Sequence, residues 1–590
     1  MTDSNESTTI DWCLVNNIDV LNGAIAGGIS GLLRSNEEKN CTITNCKSQN
    51  ANFEYTSNYD FYSTFVAGIA GHILQVKTVN ISNCESENIK INSYGMCKSG
   101  GIVGESLNSR FIMSKNHVKT LEINESDMAG GLCGYNVGNS AEFSECEASD
   151  ININGEIIGG VIGESRSDLQ IINNCNTNKL KLTATYFAGG IDGISYFSAE
   201  IGNCNVQEAE SSGRIVGGII GVSNSGTHTI DNCNVNKTKI TTTYFAGGIV
   251  GNSDDDSSSS TKMTNCKIED SEINGSSAGA IGGICSINGT IYNCQVNNLN
   301  ITGDCNIGGI TAIDGSIEEC NVDNLKIYAT VKETSNYNYG SKVAGISAIN
   351  NKNVIKKCGV TNSEMINNSE NGPNTITEFS GGILGIGLGC EDCSVESTKI
   401  QSVGKQPTYS EEGYRPTGFT GGIAGIATTI KSCNVNNINI ISNMNATGGI
   451  MGHGNNQKSY DGRDIKGGQT LIWNCNVADS NIEGLNEVGG ICGASSQTVT
   501  DCIVSGTNIK GNGKYIGGIV GFGGLLKIVD GKYITINNPL TLTNCHANDC
   551  KMYGNEYCNN IVGRNSYGND PSADVITNCD APGTTVSALQ

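Results

Sequence analysis

Apolar residues along this chain come in short alternating runs. Leu299-Asn300-Ile301, Leu325-Lys326-Ile327 and Ile438-Asn439-Ile440 each put an apolar residue on every second position, the period of a strand with one buried face. The runs are rich in Ile and Val and are separated by Asn, Gly and Ser. They predict short strands joined by tight bends, and no stretch carries a 3.6-residue period of useful length.

Two phrases order these runs. The first reads apolar-x-Asn-Cys-x-apolar, as in Ile230-Asp231-Asn232-Cys233-Asn234-Val235 and Ile291-Tyr292-Asn293-Cys294-Gln295-Val296. Its slot takes 17 of the 26 cysteines, from Cys13 to Cys579, with His117 in one further slot. The mean spacing is about 33 residues, and the four spacings from His117 to Cys233 are 29 each. The second phrase, Gly-Gly-Ile-x-Gly, lies between the cysteines, as in Gly100-Gly101-Ile102-Val103-Gly104 and Gly517-Gly518-Ile519-Val520-Gly521. A repeat of this length built from strands predicts a solenoid, because one unit cannot bury its apolar face and a stack can. The predicted fold class is all-β: a single right-handed parallel β-helix of about 17 coils, with a minimal coil of about 29 residues.

Within a coil, strand alternation puts Cys and the residue two further on against the same, inner face, giving a thiol ladder and a Val/Ile ladder. The apolar residue three before Cys has the opposite parity, so a bend lies between them. Asn precedes ten of the 17 ladder cysteines and tolerates the left-handed backbone such a bend needs; stacked Asn side chains also hydrogen-bond from coil to coil. The paired glycines mark another corner, through positive φ or close backbone approach. The chain then divides into a polar tail (1–11), the repeat domain (12–582) and a C-terminal tail (583–590), with insertions at 53–65, 252–262, 328–342, 367–380, 402–420, 454–470 and 523–540.

Gly-Gly-Ile-Val-Gly, a polar turn and Ile-x-Asn-Cys-x-Val together resemble the GLUG-type repeat, over about 12–582. The resemblance implies a bacterial surface or secreted β-solenoid of adhesin type, placed outside the cell, and it brings no catalytic residues. The chain departs from that pattern in its regular Cys and its longer insertions. Its first residues, Met-Thr-Asp-Ser-Asn-Glu-Ser-Thr-Thr, lack the basic and apolar regions of a secretory signal, which leaves a cytoplasmic location as the alternative.

Charge narrows the partners. The 36 basic residues face 58 acidic ones, a net charge of −22, which argues against nucleic acid, whose backbone needs a basic face. No apolar run reaches 18 residues, so no membrane insertion is expected. The cysteines are not spaced as metal ligands; the lone pair Cys390-Glu391-Asp392-Cys393 has no second pair. They read as buried, reduced apolar fillers, and no metal or cofactor is expected. A polysaccharide-cleaving site needs acids on neighbouring coils, and neither the slot two before Cys nor the slot one after it holds adjacent acids, so no catalytic residue is nominated.

Insertions at one slot of a solenoid cluster on one face, and these are aromatic. Tyr55, Tyr59, Tyr62, Tyr337, Tyr339, Tyr409 and Tyr414 are the candidate ligand residues, since Tyr offers both stacking area and a polar tip. The resulting expectation is a non-enzymatic surface scaffold binding glycan or protein through loops. A polysaccharide-degrading β-helix enzyme and a subunit associating head to tail are the alternatives.

Overall fold

The structure, a computed structural model, describes the chain apart from residues 1, 4–6, 23, 36–37, 56–62, 94–95, 254–259, 277–278, 305, 331–340, 370–377, 405–417, 455–469, 495–497, 524, 530–531, 537–539, 565–574 and 590, and gives the strands 2–3, 525–529 and 532–536 by backbone alone. Among the described residues every regular element is a β-strand. Two compact units divide the chain: an N-terminal one, Met1–Ser276 with Gly283–Thr290, and a C-terminal one, Ser277–Gly282 with Ile291–Gln590.

In each unit the strands stack in parallel ladders, coil on coil, which is the all-β parallel solenoid the repeat predicts. The coil from Cys146 to Cys175 is representative. Its first arm, Glu147–Gly159, pairs with His117–Gly130 on one side and Asn176–Gly189 on the other. Its second arm, Ile162–Asn173, pairs with Cys133–Ser144 and then with Asp192–Ser195 and Ser198–Gly202. In the C-terminal unit Asn434–Asn436 lies between Ser394–Glu396 and Asn476–Ala478 in the same way.

Each coil turns at left-handed residues and at a glycine arch. The residue before the ladder Cys has positive φ, as at Asn174 (52°), Asn203 (53°) and Asn232 (52°). A second left-handed corner follows four residues after Cys, at Asp150, Lys179, Glu208 and Lys237. Neighbouring Asn corners are tied together: Asn232 Nδ2 donates to Asn203 Oδ1 at 2.7 Å and Asn578 Nδ2 to Asn544 Oδ1 at 2.7 Å. The Gly-Gly-Ile-x-Gly corner works by close approach, and none of its glycines has positive φ. A Cβ on Gly130 would strike the Cys133 carbonyl oxygen, and one on Gly134 would strike the Ser99 backbone of the neighbouring coil.

The thiols line the interior. Cys84, Cys175, Cys204 and Cys233 are fully buried. Cys204 Sγ reaches the Ile172 carbonyl of the neighbouring coil at 3.7 Å and its own Gly202 carbonyl at 3.3 Å, so a weak donor is satisfied without leaving the core. Desolvation pushes the Cys84 thiol up to about 12 and that of Cys41 to about 11.

One ladder slot, the ends and the insertions differ from the sequence reading: buried Asn116, not His117, stands in line with Cys84 and Cys146, because His117 pairs with Glu85 and Glu147. Thr8–Asp11, assigned to a polar tail, pairs with Cys41–Thr44, and Thr585–Ser587 pairs with Lys551–Tyr553. Phe53, assigned to an insertion, sits in the strand Lys47–Glu54 and is 2% exposed. The 523–540 insertion carries an antiparallel pair, Leu525–Val529 with Lys532–Ile536.

Candidate functional site

The glycine arch folds the two arms of each coil toward one another on their outer side. Its Ile points into the core, whereas residues seven apart, one on each arm, meet across the outside of the bend. Phe65 and His72 stack with ring centroids 4.2 Å apart, and Lys98 Nζ lies 3.8 Å from Glu105 Oε1. Because the coils stack in register, these pairs repeat. In the N-terminal unit one wall runs Phe65, Lys98, Met128, Ile157, Phe187, Ile215, Phe245. The facing wall runs His72, Glu105, Tyr135, Glu164, Ile194, Val222, Asn252. The last glycine of each arch lies between the walls, where the neighbouring backbone leaves no room for a side chain. The result is a groove parallel to the coil stack.

Its chemistry changes along its length. At one end the charges interlock: His72 Nε2 lies 3.0 Å from Glu105 Oε2, and Lys98 stands over the Phe65 and Tyr135 rings at 5.5 and 5.6 Å. Arg166 Nε donates to Glu164 Oε1 at 2.5 Å, while its guanidinium covers Tyr196 at 4.4 Å and Tyr135 at 5.9 Å. Glu164 is fully buried, and its Oε2 has no hydrogen-bond partner among the described residues. Desolvation raises its pKa against the pull of Arg166, and the same burial pushes the Tyr135 hydroxyl up to about 12. At the other end Ile194, Ile215 and Val222 form an apolar cluster under Ile157, Phe187, Tyr196, Tyr244 and Phe245. Tyr244 and Phe245 lie 4.1 Å apart, with Arg214 over Tyr244 at 5.2 Å.

The equivalent walls of the C-terminal unit are packed shut. Phe379 stacks on Phe419 at 5.9 Å, Phe419 meets His453 at 4.6 Å and Tyr515 meets Phe522 at 5.2 Å. Lys342, Phe379 and Phe419 are at most 1% exposed. In the N-terminal unit Phe65, Lys98, Tyr135, Phe187 and Phe245 of the walls, with Tyr196 beside them, are only partly buried, whereas His72, Glu105, Glu164, Ile194 and Val222 are buried beneath them, so here the groove is shallow and reaches the surface.

Of the tyrosines nominated from sequence, Tyr55 is 8% exposed and belongs to the interior. Tyr59, Tyr62, Tyr337, Tyr339, Tyr409 and Tyr414 lie outside the described residues. The groove residues were missed because the sequence was aligned on Cys, and the distance from Cys to the glycine pair varies from coil to coil. Counting from the glycine pair instead puts each wall in a single column. Among the described residues no three His, Cys, Asp or Glu side chains converge as metal ligands, and no helix is long and apolar enough to cross a membrane, which says nothing of a β-barrel.

No family model and no curated protein matches the chain, so the GLUG-type resemblance rests on the repeat residues alone. Among solved structures the chain is similar to a PL6 alginate lyase in complex with a trisaccharide, at 8% identity and a TM-score of 0.25, covering 99% of this chain and 91% of that one. It is also similar to the PL6 family alginate lyase AlyGC, at 8% identity and a TM-score of 0.16, covering 98% and 97%. Scores this low say nothing about substrate or chemistry; the parallel coil-on-coil pairing itself is what makes this chain a β-solenoid.

Proposed function

We propose that this protein is a polysaccharide-active β-solenoid that holds a linear glycan lengthwise in the groove of its N-terminal unit. The observation that carries this is the groove itself, in which an ionic end from His72 to Arg166 runs into an aromatic end from Phe187 to Phe245. Its pattern advances by one strand spacing, about 4.8 Å, per coil, a step comparable with one sugar ring. Aromatic faces at one end stack on the C–H faces of sugars, and Arg and Glu at the other bind hydroxyl or carboxylate groups directionally. A long apolar-walled cleft with a few convergent polar groups is the usual form of a ligand site.

The test is affinity electrophoresis of the whole chain in gels containing polygalacturonate, alginate, xylan or mixed-linkage β-glucan. At least one is expected to retard the protein, and Tyr196→Ala and Phe245→Ala are each expected to weaken retention about tenfold, equivalent to ~1.4 kcal/mol. Deleting 56–62 is expected to leave retention intact. Loss of binding on that deletion, with the groove variants unaffected, moves the site to the aromatic insertion. Lack of retardation by all four polymers overturns the proposal, and binding without turnover returns the protein to a non-enzymatic adhesin-type scaffold.

A further inference from the structure

The rim of this groove carries a pair of acids on adjacent coils. The slot three before the first glycine of the pair holds Asp127, Glu156, Tyr186, Arg214 and Tyr244 in successive coils. Strand pairing slips on both sides of Glu156, between Ile123 and Ser126 and again between Gly155 and Ile157. An irregularity of this kind re-aims a side chain: Glu156 is exposed next to the half-buried wall residue Ile157. The strand register sets Asp127 beside Glu156 on the next coil, between the pairs Ser126–Gly155 and Met128–Ile157. Two neighbouring carboxylates repel one another, and partial burial, with Asp127 beside it, raises the pKa of Glu156. A third carboxyl independently marks the place. Glu164 stands on the facing wall of the same coil, fully buried, with Oε1 held by Arg166 and Oε2 without a partner among the described residues.

We propose that the Asp127–Glu156 pair hydrolyses the glycan bound in this groove, with Glu156 as the proton donor. This rests on the glycan-groove reading above. The Glu156 proton passes to the glycosidic oxygen as its bond to the anomeric carbon breaks. Water adds to that carbon and returns a proton to the pair, so one water is consumed, one reducing end and one free hydroxyl are formed, and the pair is regenerated. The two carboxyls stand side by side on adjacent coils and act as a single acid–base unit, unlike the carboxyls that flank the bond from opposite sides in the usual two-acid arrangement.

The experiment measures reducing ends released by the whole chain from the polymer that retards it, with retention measured in parallel. Glu156→Gln is expected to lower release at least 100-fold with retention unchanged. Asp127→Asn removes the neighbour that raises Glu156, so the alkaline limb of the pH–rate profile is expected to move to lower pH, a shift that a merely structural role would not produce. Retention by wild type without release of reducing ends overturns this proposal and leaves only glycan binding in the groove standing. So does undiminished release by Glu156→Gln, or products with an unsaturated, ultraviolet-absorbing end, which indicate elimination. Absence of retention overturns both.

Discussion

Burial sets what the ionisable residues of this chain do. Glu487 of the C-terminal unit faces the packed wall between Ala446 and Tyr515, and desolvation pushes its carboxyl up to about 8. His453, buried against Phe419, is pushed down to about 4 for the same reason. Both favour their neutral forms, with opposite consequences. A histidine lowered from 6.5 costs stability as pH falls from 6.5 toward 4; a carboxyl raised from 4.5 costs stability as pH rises from 4.5 toward 8. Between pH 6.5 and 8 the histidine no longer contributes a slope, so stability is expected to fall with rising pH, by about 2 kcal/mol from Glu487. Urea midpoints measured across that window check it: Glu487→Gln should reduce the slope by about one proton's share, the buried Asp192 and Glu378 supplying a slope of the same sign, and an unchanged slope assigns it elsewhere.

Arches and corners set the shape of the coil. At Gly163 a Cβ would meet the Gly134 carbonyl and the Ala129 backbone, so Gly163→Ala overpacks the groove floor and is expected to cost about 1–3 kcal/mol. Gly202 has only Asn173 Oδ1 near its Cβ position, at 3.4 Å, and no positive φ. Gly202→Ala is therefore expected to be neutral or to stabilise by about 0.4–1 kcal/mol through the unfolded state. Equal penalties in chemical denaturation would refute this account of the arch. The corner before Cys was legible because Asn occupies it so often. The corner four residues after Cys was overlooked although it too favours Asn, as at Asn50, Asn88, Asn298, Asn324, Asn362 and Asn437. In three successive coils Lys179, Glu208 and Lys237 hold the same left-handed conformation, so there the ladders on either side override residue preference.

Over the whole molecule the ladder cysteines are sealed by stacking. Among the described cysteines only Cys13, Cys558 and Cys579 are less than fully buried, and reaction requires exposed thiolate. A thiol reagent at pH 8, read by mass spectrometry, is expected to modify at most these three described cysteines in the native state and all 26 cysteines after denaturation. Native labelling at Cys175, Cys204 or Cys233 would place the ladder on the outside and end the coil assignment.

The sequence alone determined the coil. A period of 29 to about 33 residues, two-residue alternation, Asn before Cys and a glycine-rich corner are each local demands of backbone geometry and burial, so they leave a mark in every repeat. Only the tertiary structure decided the groove. His72 and Glu105, or Asp127 and Glu156, belong to different repeats and meet because stacking aligns their coils. The two walls meet because the arch folds one arm onto the other. Such contacts depend on register between coils, and with insertions of varying length between Cys and the glycine pair, that register could be fixed only by the hydrogen-bonded ladders themselves.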